Sequence, residues 1–130
     1  MNAHEQQFAK SFITPEKQIR YLELLKSEKG RKKVRAGLYH CRDIDQRFAR
    51  LLDPKDQTTE GVEQILRSKG APERCYLFSA ENDLDGREMD LSEALFEVVG
   101  SNSGTLVSCI PGKLGYFESE DIGERYILER

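Results

Sequence analysis

Apolar residues recur at helical spacing through the first half of the chain. Thr14-Pro15 is a helix-start signal, because a hydroxyl can cap the first turn and proline needs no hydrogen-bond donor there. Ile19 and Leu25 then lie on one stripe, and Gly30 is typical of a helix end. This pattern predicts a helix from about residue 15 to residue 30.

Three further helices are predicted between this segment and residue 70. The second covers residues 31–42, with Val34 and Leu38 on its apolar stripe. The third covers residues 43–52, where an acidic cap precedes apolar residues at i, i+4 and i+8. The fourth, residues 59–70, is short and ends at a glycine.

The spacing changes to that of strands after residue 71. Strands are predicted at residues 75–80, 105–110, 114–118 and 124–129, and a helix is predicted between the first two. Because that helix is long enough for a crossover, the first two strands are expected to be parallel. Pro111-Gly112 predicts a type II turn between the second and third strands.

These elements predict an α+β fold. Three to four N-terminal helices are expected to pack on one face of a small mixed four-stranded sheet, whose C-terminal half runs β-α-β-β-β. A length of 130 residues fits a single domain, 1–130. The helical part is expected at about 1–70 and the sheet-containing part at about 71–130.

Charge is distributed unevenly along the chain. Residues 1–57 hold 13 Lys and Arg against 8 Asp and Glu, whereas residues 58–130 hold 7 against 15. A basic segment at 26–35 accounts for much of the positive charge and predicts a contact with anions or with the phosphate backbone of nucleic acid. Its residues are Lys26, Lys29, Arg31, Lys32, Lys33 and Arg35. The alternative interpretation is a solvated helix face, and the pI near 5.5 counts against a dedicated nucleic-acid binder.

Cysteine usage and hydropathy indicate a cytoplasmic protein. No stretch approaches the ~18 apolar residues of a membrane span, and residues 1–10 lack the apolar core of a secretory signal. The three cysteines cannot all pair with one another. Cys75 and Cys109 lie within apolar runs and are interpreted as small buried hydrophobic residues.

No complete catalytic, metal or cofactor set is present in the sequence. His4 lies near a terminus expected to fray, and His40 and Cys41 are adjacent, so their side chains would diverge on a helix. The acidic loop at 81–86 resembles part of a calcium loop, but Ser92 stands where the bidentate glutamate is needed. No cofactor is expected.

Two features near the C-terminus are candidates for partner contact. Lys113 and Tyr116 lie at a predicted hairpin, where an aromatic side chain could anchor another protein; the alternative is that Tyr116 packs in the core. Residues 124–129 are predicted to form an edge strand, through which a homodimer could pair.

The sequence is therefore interpreted as a small non-enzymatic regulatory or protein-interaction module. Nucleic-acid association through residues 26–35 is the first alternative. An enzyme with a carboxylate-lined pocket is the second, since acids brought together by folding cannot be recognised from sequence.

Overall fold

The computed structural model describes all residues from Met1 to Arg130. It is an α+β fold with five helices and one six-stranded antiparallel sheet. The helices are α1 (Ala3–Ser11), α2 (Pro15–Leu25), α3 (Glu28–Gly37), α4 (Thr59–Ser68) and α5 (Leu91–Val98). The strands are β1 (Ala49–Leu51), β2 (Arg74–Ser79), β3 (Glu88–Asp90), β4 (Thr105–Ile110), β5 (Leu114–Glu118) and β6 (Arg125–Glu129). Their order across the sheet is β1-β6-β5-β4-β2-β3.

Helices cover both faces of the sheet. Strand residues alternate between the two faces, and each face has its own hydrophobic core. Leu77, Val107 and Tyr116 pack in one core with residues of α4 and α5. Phe78 and Leu106 pack in the other with residues of α1, α2 and α3. The expectation of a sheet covered on one face is therefore wrong, and the hydrophobic strands are explained by burial on both sides.

The expected parallel crossover is also wrong. After β2, the chain turns at residues 80–87 and returns as β3, which pairs antiparallel with β2. Because β3 reverses the direction of the chain before α5, β4 joins β2 in an antiparallel register, with Leu77 opposite Val107. The short strand β3 lies in a polar segment without an apolar run, so the periodicity does not reveal it.

Residues 43–52 do not form the predicted helix. The Asp45 side chain accepts from the backbone of Arg47 at 3.1 Å and stabilises a single 3-10 turn at Gln46–Phe48. The chain then enters β1, which pairs with β6. The apparent helical stripe is divided, since Ile44 belongs to the core under α1–α3 and Leu52 to the core under α4 and α5.

The N-terminal helices differ from prediction at their ends. Residues 3–11 form α1, because the Asn2 side chain caps the His4 backbone at 2.7 Å. The helix that begins at Pro15 ends at Leu25 rather than Gly30. Ser27 then caps α3 by accepting from Gly30 N at 3.0 Å, so a new helix begins before the glycine.

The predicted edge at residues 124–129 is not an edge. Strand β6 lies between β1 and β5 and pairs with both. The edges are instead the three-residue strands β1 and β3, and such short edges offer little backbone to a second chain. In contrast, the predicted turn at Pro111-Gly112 is confirmed: Lys113 N donates to Ile110 O at 2.9 Å, and Gly112 has a φ of +71°.

Candidate functional site

A cleft of about 290 Å³ lies between the segment that follows α3 and the ends of β5 and β6. Residues 40–46 form one wall, and the strand ends with their connecting hairpin form the other. We call it the 40–46 cleft. It is lined by His40, Cys41, Arg42, Ile44, Gln46, Phe117, Ser119, Glu124 and Tyr126.

The wall at residues 40–46 is fixed by backbone pairing with the end of α1 and the start of α2. Thr14 N donates to Asp43 O, and Asp45 N donates to Phe12 O, each at 2.8 Å. The Tyr21 hydroxyl also donates to the Asp43 carboxylate at 2.8 Å. A single antiparallel bridge between Ile13 and Ile44 thereby holds this segment against the helical layer.

The opposite wall belongs to the β5–β6 hairpin. Phe117 on β5 is directly opposite Tyr126 on β6, so the two rings lie side by side on one face of the sheet. Beyond the strands, Ser119 Oγ donates to the Glu124 carboxylate at 3.1 Å, and Glu120 N donates to Tyr39 O at 2.9 Å. The first bond closes the hairpin loop on itself, and the second ties the hairpin to the segment after α3.

The floor of the cleft is apolar. Ile44 and Phe117 are almost fully buried, with 3% and 1% of their surfaces exposed. The Tyr126 ring adds a partly exposed aromatic surface. Ile44 and Phe117 therefore present little surface to the cleft, and the Tyr126 ring is the main apolar surface that a ligand could contact.

The rim carries polar groups of both charges. The Arg42 guanidinium makes no hydrogen bond or ion pair within the chain, and neither does the Tyr126 hydroxyl. Glu124 also faces the cleft, whereas His40 lies 3.2 Å from a Glu120 oxygen. Burial raises the pKa of Tyr126, so its hydroxyl remains a hydrogen-bond donor at neutral pH.

Cys41 brings a thiol to the cleft, but the thiol is not activated. Burial raises its pKa to about 12. Since the thiolate is the nucleophile, a thiol with this pKa is inert at neutral pH. The only histidine beside it, His40, is directed to Glu120 rather than to the sulfur.

The basic segment at 26–35 is divided by the fold. Arg31 turns inward and donates to Glu5 and Asp85, and Arg35 donates to the Ser79 carbonyl at 2.8 Å. Lys26 lies 2.8 Å from Glu23 in an exposed pair. The three remaining lysines are exposed on α3: Lys29, Lys32 and Lys33. The two arginines, which would suit bidentate phosphate contacts best, are already occupied.

The acidic loop at 81–86 is part of the same inward network. Asp85 accepts from Arg31 at 2.7 Å and from the Ser79 backbone at 3.0 Å, so its oxygens hold the loop in place. Glu81 accepts from the Tyr39 hydroxyl at 2.6 Å. No three histidine, cysteine, aspartate or glutamate side chains are placed together as metal ligands anywhere in the chain.

The two residues predicted to contact a partner at the hairpin, Lys113 and Tyr116, differ in exposure. Lys113 is exposed at the turn, whereas Tyr116 is fully buried and donates its hydroxyl to Glu118 at 2.6 Å. The prediction that Tyr116 offers a contact surface is wrong, and the alternative that it packs in the core is correct. The side chains at positions 114, 116 and 118 share one buried face.

A surface hollow on α4 is the closest approach to a carboxylate-lined pocket. It is lined by Glu60, Glu63, Gln64 and Arg67. Arg67 donates to Glu63 at 2.9 Å and lowers the pKa of that carboxyl, with Ser92 acting in the same direction. A lowered carboxyl pKa is expected of an ion pair and is the opposite of what a general acid requires.

Sequence reasoning missed the cleft because its walls come from distant parts of the chain. Arg42 and Glu124 line the same cleft only because residues 40–46 pack beside a hairpin that lies some eighty positions later in the chain. The one local signal is the polar run His40-Cys41-Arg42, which interrupts the apolar stripe after Leu38. That signal marks a helix end but not a site.

Comparison with known proteins adds no assignment: no family model matches the chain, and neither a curated protein nor a solved structure matches it. Separately, none of the helices combines the length and the hydropathy that crossing a bilayer requires.

Proposed function

We propose that this protein is a non-enzymatic regulatory module that binds a small zwitterion, a free α-amino acid with an apolar side chain, in the 40–46 cleft. One observation carries the proposal: an apolar floor is bordered by an unpaired cation, Arg42, and by an acid, Glu124. An α-amino acid carries the complementary groups, a carboxylate and an ammonium beside an apolar body.

The size of the cleft supports a ligand of this class. The cleft volume of about 290 Å³ is just below the roughly 300–1,000 Å³ found for small-molecule sites, so only a small ligand fits. A nucleotide or a large cofactor would extend well beyond these walls. A single apolar side chain would lie mainly against the partly exposed ring of Tyr126.

The charges at the rim would orient the ligand. The Arg42 guanidinium has all its donors available, and a carboxylate is the group it pairs with best, through two parallel hydrogen bonds. Glu124 keeps one oxygen free of Ser119 and would accept from the ammonium. The Tyr126 hydroxyl is a further donor for the carboxylate.

Binding without reaction is favoured by the protonation states in the cleft. The Cys41 thiol has a pKa of about 12 and does not supply a nucleophile at neutral pH. A bound ligand would instead connect the 40–46 wall to the β5–β6 hairpin. Ligand binding of this kind stabilises the folded state by RT ln(1 + [L]/Kd).

The C-terminal residue of a partner protein would present the same carboxylate and side chain but no free ammonium. N-acetylphenylalanine reproduces that case, and free phenylalanine reproduces the amino acid. Comparison of the two compounds distinguishes a metabolite-binding module from a module that captures a protein terminus.

Calorimetric titration tests the proposal. Phenylalanine, N-acetylphenylalanine and phenethylamine are each titrated into the wild-type chain and into Arg42→Gln and Glu124→Gln. Phenylalanine is expected to bind wild type most tightly and to lose roughly tenfold or more in affinity with either variant, as for a lost charge-assisted bond. Arg50→Gln, which removes an exposed arginine on β1, is the matched control and should leave affinity unchanged.

Absence of binding for all three compounds would refute the proposed ligand class. Equal affinity for phenylalanine and N-acetylphenylalanine, unaffected by Glu124→Gln, would assign the cleft to a chain terminus instead. Equal losses with Arg42→Gln and Arg50→Gln would show general charge attraction and would contradict a specific site.

A further inference from the structure

Two free thiols lie on neighbouring central strands, away from the 40–46 cleft. Cys75 is on β2 and Cys109 on β4, and each is about 3% exposed. The register pairs Leu77 with Val107 and Tyr76 with Ser108. The recorded pairs end there, and β4 has a register shift between Ser108 and Ile110 in its pairing with β5. With the β2–β4 register continued by one residue, Cys75 lies opposite Cys109.

Both side chains point to the same face of the sheet. Cys75 and Cys109 belong to the core under α4 and α5, together with Leu77 and Val107. Cross-strand neighbours on one face have their Cβ atoms within about 4.5–5.5 Å of each other. The two sulfurs are therefore in adjacent positions and are not on opposite sides of the sheet.

The hydrogen-bonding pattern places the thiols at the closer type of strand pair. Ala80 N donates to Gly104 O at 2.9 Å, and bonded and non-bonded pairs alternate along an antiparallel ladder. Leu77 N accordingly turns away from β4 and donates to Arg87 O. Cys75 and Cys109 are five steps along the ladder from the bonded pair Ala80 and Gly104, so they form a non-bonded pair. The Cα separation of such a pair is about 4.5 Å. Disulfides span Cα separations of about 4.4–6.8 Å.

A surface cavity of about 310 Å³ is lined by residues Cys75 and Cys109 together with His4, Arg74 and Glu88. It lies on the α1 side of the sheet, where the His4 ring stacks on Tyr76, whereas both thiols belong to the core under α4 and α5. Cys41, the third cysteine, lies in the separate 40–46 cleft.

We propose that Cys75 and Cys109 are an oxidation site that closes into a cross-strand disulfide when a hydroperoxide reaches one of the thiols. One thiolate attacks an oxygen of the hydroperoxide and the O–O bond breaks, which gives a sulfenic acid. When the oxidant is hydrogen peroxide, the other oxygen leaves as water. The second thiolate attacks the sulfenic sulfur and releases another water. Two thiols and one hydrogen peroxide thus yield one disulfide and two waters.

The environment makes this reaction slow at neutral pH. Burial raises the pKa of Cys75 to about 11 and that of Cys109 to about 12, so the thiolate fraction is small. Oxidation should accelerate as the pH rises. The pair would respond to sustained oxidant and would ignore a brief exposure.

Mass spectrometry after treatment with hydrogen peroxide tests the proposal. The full chain carrying Cys41→Ser, which leaves only these two thiols, is treated at about pH 8.5 until the products stop changing. The expected product has lost both thiols and two hydrogen atoms, contains one cross-linked peptide joining positions 75 and 109, and is restored by a dithiol reductant. The wild-type chain should give the same cross-linked peptide while Cys41 stays unpaired.

Single-thiol variants provide the matched controls. With Cys75→Ser or Cys109→Ser in the same background, the remaining thiol has no partner and should show only oxygen addition. Sulfinic acid without a cross-link, disulfides between chains, or two unreacted thiols in the folded Cys41→Ser protein would each overturn the proposal.

The cross-link must also fit the folded state. Because a disulfide restricts the unfolded chain, the oxidised Cys41→Ser protein should have a higher urea midpoint than the reduced protein. A lower midpoint after oxidation would show that the bond forms only by distorting the sheet, and it would contradict the assignment.

Discussion

Glu5 on α1 and Arg31 on α3 form a two-pronged ion pair in the interior between the helices and the sheet. Arg31 Nε and Nη2 each donate to a separate oxygen of Glu5 at 2.8 Å. The Glu5 side chain is only 4% exposed. Asp85 binds the outer side of the same guanidinium, and the Tyr76 hydroxyl donates to Glu5. Four separate parts of the chain therefore meet at one charged cluster.

Replacement of Arg31 by methionine should destabilise the protein by about 3 kcal/mol, because it leaves the Glu5 carboxylate buried without its cation. Chemical denaturation monitored by circular dichroism measures the change. The Glu5→Gln/Arg31→Met double variant is the control and should recover part of the loss, since no unpaired buried charge remains. A decrease in the free energy of unfolding below about 0.5 kcal/mol for Arg31→Met would show that this pair is no stronger than a surface ion pair, which would contradict the prediction.

Glu118 holds the loop between α5 and β4. Its fully buried carboxylate accepts from Gly100 N at 3.0 Å, from Asn102 N at 2.6 Å and from the Tyr116 hydroxyl at 2.6 Å. In Glu118→Gln, one carboxylate oxygen is replaced by an amide NH2 group, which cannot accept from these donors. The substitution should lower the free energy of unfolding by roughly 2 kcal/mol. The exposed Glu97→Gln is the control, with an expected change within about 0.5 kcal/mol. Equal effects of the two variants would contradict the role given to Glu118.

Gly104 has two separate reasons to be glycine. Its φ is +64°, and a Cβ would lie 2.8 Å from the Tyr39 backbone nitrogen. Gly100 also has a positive φ, +89°, but a Cβ there would meet nothing within 4 Å. Gly100→Ala should therefore cost about 1 kcal/mol from backbone strain alone, and Gly104→Ala should cost more, up to about 3 kcal/mol. Thermal unfolding of both variants measures the difference, and equal losses would rule out the close approach as a cause.

His4 should make stability depend on pH. Burial lowers its pKa from the ordinary value of 6.5, and Glu88 and Glu5 oppose that shift with smaller effects. The unfolded chain then binds the proton more readily than the folded chain. The His4 contribution is fully present above pH 6.5 and is lost as the pH falls through that value toward the folded pKa.

The urea midpoints of wild type and His4→Gln at about pH 7.5 and about pH 5.5 measure this contribution. The decrease on acidification should be smaller in His4→Gln. His40→Gln, which removes the exposed histidine, should retain the wild-type decrease. An identical decrease in wild type and His4→Gln would show that His4 does not contribute.

The periodicity predicts an element correctly where the element is regular. The helix from Pro15 is in the right place because Leu25 is buried, although Ile19 on the same predicted stripe is 78% exposed. The run at 105–110 forms a central strand because it is apolar on both faces, with Leu106 in one core and Val107 in the other. The prediction at 43–52 failed because Ile44 and Leu52 share a helical spacing but belong to cores on opposite faces of the sheet.

The charged residues were harder to predict than the apolar ones. Arg31 and Arg35 were grouped with neighbouring lysines, yet they bind acids and carbonyls contributed by other parts of the chain. No local pattern distinguishes an inward arginine from an outward one. The 40–46 cleft is a tertiary feature of the same kind, since Arg42 and Glu124 become neighbours only on folding.

Amide chemical-shift mapping during a phenylalanine titration determines where on the protein the amino acid binds. Binding in the 40–46 cleft predicts saturable shifts at residues 40–46, at Phe117 and at residues 119–126, and these shifts should be absent in Arg42→Gln. Amides on β2, where Cys75 lies on the far face of the sheet, should remain unchanged. Shifts confined to other surfaces, or no saturable shifts at all, would contradict the account.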